Sequence, residues 1–196
     1  MLFASGFFST ATHNRKILFN KEKVQWMPGM RRSDLPCYYF KEKMEEGYLP
    51  VFLDGCHWSL VYLHAQSRTI FFIDSSWGVG KGDKYLRGTL FLLTEMAKDA
   101  TGRPDAANWL KDFDRTQWKL VDCERVTAQQ GNGHDCGVYT LFYVFVSMFM
   151  EPRHYFVKHN PKSVTAITAF RQKLVRLLFD SSLDMSTFGI DDFLEL

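Results

Sequence analysis

The length and composition of the chain limit what it can be. Its 196 residues, 46% of them hydrophobic and 23% charged, suit one globular domain (residues 1–196) and argue against a disordered segment. A net charge of +2 with no long basic run gives no sign of nucleic-acid binding. The longest apolar run, at 136–150, is shorter than the ~20 residues that a membrane span needs.

Hydrophobic periodicity and turn residues predict four strands and four helices. The strands are expected at 48–54, 57–64, 68–74 and 117–126. The helices are expected at 84–100, about 105–112, 136–150 and 163–179. Most of the segment 17–47 has no clear pattern, and a glycine-rich loop covers 75–83. Strands and helices do not alternate regularly, so the predicted fold class is α+β. The apolar run at 136–150 is expected to be a deeply buried helix.

The predicted hairpin brings two polar residues together. If the turn is centred between residues 65 and 66, paired residue numbers sum to 131, and His57 faces Asp74. Directly opposed residues have Cβ atoms ~4.5–5.5 Å apart, which lets an imidazole reach a carboxylate. The pattern alone also allows these to be two unrelated polar ends of a hairpin. Regular strand geometry predicts that Trp58 points to the face opposite His57.

Cys136 stands at the polar edge of the predicted buried helix, and this position favours a reactive thiol. Exposed N–H groups and the helix dipole favour the thiolate, and a nearby imidazole stabilises it further. Acyl transfer also needs hydrogen-bond donors for the oxyanion, which the Cys136 N–H and the amide of Gln129 or Gln130 could supply. Gly137 leaves room for a substrate.

The other cysteines favour neither disulfides nor a metal site. The first residues lack the basic start of a signal peptide, so we expect free thiols in a reducing compartment. The Cys-His dipeptide at 56–57 and His134-x-Cys136 lack zinc-finger spacing, and no zinc site is expected. Three cysteines lie among ordinary loop and strand residues and are expected to be structural: Cys37, Cys56 and Cys123.

Two motifs resemble one protein family. The run from Gln129 to Gly137, Gln-Gln-x-Asn-Gly-x-Asp-Cys-Gly, resembles the nucleophile segment of the ubiquitin-like-modifier proteases, which include the SUMO (sentrin-specific) proteases. The tetrad His-Trp-Ser-Leu at 57–60, with Asp74 seventeen residues after the histidine, resembles the other family signature. The order of these residues along the chain, His, Asp, Gln and then Cys, is also that of the family. The resemblance covers roughly residues 48–150.

The resemblance implies a papain-like cysteine protease fold of the ubiquitin-like-protease type. A mixed central sheet would be flanked by helices, with the nucleophile at the N-terminus of a buried helix. Five residues would have roles in catalysis or substrate binding. These are Cys136 as nucleophile, His57 as base and acid, Asp74 as the orienting carboxylate, Gln130 as the oxyanion amide and Trp58 as the cover of a glycine channel.

The implied reaction is cleavage after the C-terminal Gly-Gly of a ubiquitin-like modifier, with SUMO favoured, through a thioester. No metal or cofactor is required. The implied partners are the modifier and its conjugates, and we expect a monomer in the nucleus or cytoplasm, or in the host cytosol if the protein is a secreted effector.

The sequence also departs from the family pattern. A Trp-Leu-Asn-Asp segment that usually grips the modifier is not found, although residues 7–26 faintly resemble the stretch that normally comes after that segment. We expect that the N-terminal part is shortened or that the wall of the glycine channel is built differently. Two alternatives stay open: an effector-type acetyltransferase with the same triad, against which Asp74 and Trp58 argue, and a non-catalytic modifier-binding module.

Overall fold

A computed structural model of the chain describes residues 45–53, 56–76, 82–123, 127, 129–147 and 164–179. Within them, four strands form one sheet: β1 (Glu46–Leu53), β2 (His57–His64), β3 (Thr69–Ile73) and β4 (Lys119–Asp122). The strand order is β1-β2-β3-β4. The first three strands are antiparallel, whereas β4 lies parallel to β3, so the sheet is mixed as expected.

Four α-helices are described, and together they cover both faces of the sheet. They are α1 (Gly82–Ala100), α2 (Asn108–Lys111), α3 (Cys136–Ser147) and α4 (Val164–Phe179). Residues alternate in β2, so that Val61 and Leu63 pack on the side of α1, while Leu60 and Tyr62 pack on the side of α3 and α4. Two separate apolar cores result, one on each face of the sheet, and the α+β prediction is confirmed.

The predicted hairpin is present, but its register is wrong by two positions. The observed pairs run from His64↔Thr69 to Leu60↔Ile73, so their numbers sum to 133. The turn has four residues, 65–68, closed by the Arg68 N–H donating to the Ala65 carbonyl at 3.0 Å, with Arg68 at a φ of 50°. A shift of two leaves every side chain on its predicted face, because side chains alternate with a period of two.

Several predicted boundaries are corrected. Strand β4 covers only part of 117–126, and α2 is shorter than 105–112. Helix α3 is not buried all round as predicted, because Leu141 on its outer side is 47% exposed. Residues 7–26 lie outside the described part of the chain. None of the helices that the structure describes combines the length and apolar character needed to cross a membrane.

Candidate active site

His57 and Asp74 are in contact at one end of the sheet. Asp74 follows β3, and its Oδ1 lies 2.6 Å from His57 Nε2. The Ser76 backbone N–H donates to the same Oδ1 at 2.9 Å. The histidine is 5% exposed and the aspartate is fully buried. The predicted contact is therefore present, although the two residues lie diagonally across the hairpin and not directly opposite, because the register differs by two.

This contact defines the tautomer that the imidazole needs. A carboxylate accepts a hydrogen bond from Nε2–H, so neutral His57 carries its proton on Nε2 and has a lone pair on Nδ1. Nδ1 is thus the nitrogen that can take a proton from a thiol. The second carboxylate oxygen, Asp74 Oδ2, is buried and has no hydrogen-bond partner in the described part of the chain.

The loop that precedes Cys136 is tied to the end of β3. The Thr127 hydroxyl donates to the Asp74 carbonyl at 2.6 Å, and the Gln130 backbone N–H donates to the Ser75 carbonyl at 2.7 Å. The Ser75 hydroxyl donates in turn to Gln130 Oε1 at 2.8 Å. These bonds join positions more than fifty residues apart, so the glutamine loop and the His–Asp pair form one structural unit.

The two glutamines differ in what their amides do. Gln129 Nε2 lies 3.4 Å from the Asp74 carbonyl and 3.3 Å from the Thr127 carbonyl, so backbone acceptors take both of its N–H groups. Gln130 Nε2 makes one such bond, to the Asn132 carbonyl at 2.6 Å. A primary amide has two N–H groups, so one N–H of Gln130 has no partner among the described residues. This difference favours Gln130 over Gln129.

Cys136 is the first residue of α3, as the sequence predicted. The first helical turn is closed by the Tyr139 N–H donating to the Asp135 carbonyl at 3.0 Å. The thiol side chain is 5% exposed. Among the described residues, no hydrogen bond joins the thiol to His57, and strand parity puts the imidazole on the α1 side of the sheet. The thiol therefore has to meet Nδ1 around the end of the sheet, where β2 begins.

Trp58 lies on the opposite side of β2 from His57, as strand parity requires. Its ring stacks obliquely on Phe52 of β1, with centroids 4.7 Å apart. A Cβ added to Gly137 would stand 3.7 Å from Trp58 Cδ1, so the indole edge lies over the residue that follows Cys136. The structure thus brings the tryptophan to the start of α3.

The remaining described cysteines have no place in this site. Cys123 is buried, and burial raises the pKa of its thiol to about 12, which makes it inert at neutral pH. Cys56 is a free and exposed thiol in the turn before β2, so packing does not explain it. Cys37 lies outside the described residues. No group of three His, Cys, Asp or Glu side chains that could hold a metal is found among the residues that the structure describes.

Sequence reasoning missed the residues that hold the loop together. Ser75 and Thr127 carry no motif and make their bonds to partners far along the chain. Arg171 of α4 pairs with Asp135, 36 residues away, and no local pattern predicts that contact. The spacing Asn132-x-x-Asp135 was a signal that could have been used, because asparagine often caps such a turn with its own side chain.

Comparison with known proteins identifies the family. A model of the Ulp1 protease family, C-terminal catalytic domain, matches residues 1–185. The chain belongs to the Ulp1 protease family. Members of this family are cysteine proteases, and the resemblance read from the two motifs is confirmed. A search of curated protein sequences found no match.

Solved structures of Ulp1 proteases are also similar to the chain, at low identity. The C-terminal Ulp1 protease domain in complex with Smt3, the yeast ortholog of SUMO, is 19% identical over 75% of this chain and 56% of that one, with a TM-score of 0.45. The Ulp1-like SUMO protease catalytic domain of Chaetomium thermophilum is 20% identical over 71% and 46%, with a TM-score of 0.44. The chain thus spans about half the length of these two structures.

Proposed function

We propose that the chain is a cysteine isopeptidase and endopeptidase that cleaves after the C-terminal Gly-Gly of a ubiquitin-like modifier. SUMO is the favoured modifier, because the motifs around His57 and Cys136 resemble those of SUMO proteases. The observation that carries the proposal is the hydrogen-bonded junction between two segments. One segment is the end of β3, which carries the buried Asp74–His57 pair. The other is the glutamine loop, which leads to Cys136 at the start of α3.

The proposed reaction has two steps. The Cys136 thiolate attacks the carbonyl carbon of the second glycine, and the C–N bond breaks as His57 gives its proton to the leaving amine. That amine is a lysine ε-amine in a conjugate and an α-amine in a precursor. Water then gives a proton to His57 and attacks the thioester, which releases the modifier carboxylate and restores the thiolate.

Three groups assist these steps. Asp74 holds the ring through Nε2, and its carboxylate makes a charge-assisted hydrogen bond, the stronger kind, to a ring that carries both protons. The Cys136 backbone N–H and the remaining N–H of Gln130 donate to the oxyanion. The thiol and imidazole are expected to meet when substrate binds, because catalytic hydrogen bonds are often long or poorly aligned in free enzymes.

Substrate selection is proposed to be steric. The edge of Trp58 over Gly137 leaves a narrow passage. A Gly-Gly segment fits beneath the indole because it has no side chains, and bulkier residues would be excluded. We propose a single catalytic domain that acts as a monomer without a cofactor. The nucleus or cytoplasm, or a host cytosol for an effector, would keep the thiol reduced.

A panel of electrophilic modifiers tests the proposal. The protein is incubated with SUMO, ubiquitin and other ubiquitin-like modifiers that carry a C-terminal vinyl sulfone, and the adduct is mapped by mass spectrometry. We expect an adduct on Cys136, formed fastest with SUMO and absent in Cys136→Ala. Binding without an adduct would support a non-catalytic module. Acetylation of Cys136 by acetyl-CoA, with no modifier adduct, would support the acetyltransferase.

A further inference from the structure

The loop between Gln130 and Cys136 is organised around one asparagine. Asn132 Oδ1 accepts from the backbone N–H groups of His134 at 3.1 Å and Asp135 at 3.0 Å, which folds the loop into a compact turn. Its Nδ2 donates to Asp135 Oδ2 at 2.7 Å. Its carbonyl oxygen accepts from Gln130 Nε2 at 2.6 Å. Asn132 therefore joins the oxyanion amide to the residue that precedes the nucleophile.

A second contact anchors this turn to another helix. Asp135 is 6% exposed, and its Oδ1 accepts from the guanidinium of Arg171 on α4. Its backbone carbonyl meanwhile begins α3, the helix of Cys136. A buried carboxylate is stable in the fold only when it is paired, so the Asp135 side chain is held between the Asn132 amide and Arg171.

The network also fixes the direction of the oxyanion donor. Gln130 Oε1 is occupied by the Ser75 hydroxyl, and one N–H of its Nε2 by Asn132. With both ends held, the plane of the amide is set, and its second N–H has one direction. An oxyanion donor has to be aimed at the transition state before the reaction starts, because reorganisation during catalysis costs rate.

We propose that Asn132, Asp135 and Arg171 form a positioning network that aims the Gln130 amide at the oxyanion of the substrate bound to Cys136. Arg171 is the anchor, so helix α4 contributes to catalysis without touching substrate. The inference rests on the proposed function and adds three residues to its site.

The test uses a variant that leaves no unpaired buried charge. Arg171→Met alone would strand the Asp135 carboxylate and could unfold the chain. Arg171→Met with Asp135→Asn removes both charges, so we expect a thermal midpoint near that of the wild type. We expect kcat for a SUMO-coumarin amide to fall, by up to about 10²-fold for a misplaced catalytic group, with KM unchanged within about threefold. Arg171→Lys should recover part of kcat because it keeps a cationic donor.

A matched control and a coupling measurement separate positioning from mere packing. Arg87→Met breaks an exposed ion pair with Asp83 on α1 and should leave kcat unchanged. Gln130→Ala should cost about 10²–10³ in the wild type but less than about tenfold in the double variant, whose amide is already misaimed. Additive costs, or a wild-type kcat in the folded double variant, would overturn the proposal.

An activity-independent measurement distinguishes this inference from the proposed function. Side-chain ¹⁵N relaxation of the Gln130 amide reports its rigidity in the free protein. We expect a rigid amide in the wild type and a mobile one in the double variant. If the wild type cleaves no modifier but this change is seen, the proposed function fails and the network stands. An equally rigid amide in both proteins refutes the network.

Discussion

Replacing Asp74 by asparagine separates two roles that we propose for the carboxylate: orienting His57 and supplying a negative charge. The Ser76 N–H donates to Asp74 Oδ1, the same atom that receives His57 Nε2. That N–H requires an acceptor, so it should hold the oxygen of an asparagine amide in place of Oδ1. The His57 tautomer and orientation are then kept in Asp74→Asn, and only the charge is lost. In Asp74→Ala the negative charge and the acceptor that orients His57 are both lost.

The expected losses of kcat and of stability follow from the hydrogen bonds that Asp74 makes. A hydrogen bond to a charged group contributes about 1.5–3 kcal/mol and a neutral one about 0.5–1.5 kcal/mol. The difference of about 1–1.5 kcal/mol predicts a roughly tenfold fall in kcat for Asp74→Asn. Asp74→Ala also loses the orienting acceptor, and removal of a triad carboxylate costs about 10⁴ in kcat. The amide NH₂ would take the place of Oδ2, which is buried without a described partner, so Asp74→Asn should also lower the free energy of unfolding, by about 1–3 kcal/mol.

The assay is steady-state cleavage of a SUMO-coumarin amide, with thermal unfolding of each variant in parallel. Asp83→Asn removes an exposed carboxylate on α1 and serves as the control with unchanged rate and stability. An asparagine variant as slow as Asp74→Ala would show that Oδ1 does not hold the ring. Wild-type activity in Asp74→Ala would refute the pairing of His57 with Asp74 as a catalytic contact.

Three further predictions concern the glutamine pair, a close contact and a buried thiol. Gln130→Ala should lower kcat by about 10²–10³. Gln129→Ala should lower kcat less than about tenfold, because backbone carbonyls already accept from the Gln129 amide. A larger loss of kcat in Gln129→Ala than in Gln130→Ala would reverse the assignment. Gly82→Ala should lower the free energy of unfolding by about 1–3 kcal/mol in urea titrations, because its Cβ would collide with the Asp122 carboxylate of β4 and stand 2.9 Å from the buried Phe72 ring of β3. Gly102→Ala is the control, since its Cβ would have nothing within 4 Å, and equal losses of stability in the two variants would contradict this packing. Burial raises the pKa of the Cys123 thiol to about 12, so only a fraction of about 10⁻⁴ should be thiolate at pH 8. Cys123 should therefore escape alkylation by iodoacetamide when the native protein is mapped by mass spectrometry. Alkylation as fast as that of an exposed thiol would contradict its burial.

The parts of this fold that the sequence predicted well are those governed by local pattern. Alternating aromatic and β-branched residues gave the bounds of β2 without error, and apolar spacing through Leu86 and Leu93 placed α1 within two residues of its observed start. The position of Cys136 at a helix start also followed from a polar turn next to an apolar run. Each of these signals lies within a few neighbouring residues.

The parts that the sequence left open depend on tertiary contacts. The hairpin register turned on whether the turn had two or four residues, and Arg68 at positive φ carries no sequence signal of that choice. The choice between Gln129 and Gln130 needed the positions of the backbone carbonyls around their amides. The pairing of Arg171 with Asp135 depends on how α4 packs against α3, which periodicity does not encode. Residues 7–26 lie outside the described part of the chain, and their faint resemblance to the family stays a prediction.

The central claim is that His57, held by Asp74, takes the proton of Cys136. The most direct measurement is a crystal structure of the Cys136 adduct with a SUMO vinyl sulfone. We predict His57 Nδ1 within hydrogen-bonding distance of the Cys136 sulfur, while Nε2 remains bound to Asp74. An adduct structure in which the imidazole stays on the α1 side of the sheet, out of reach of the sulfur, would contradict it.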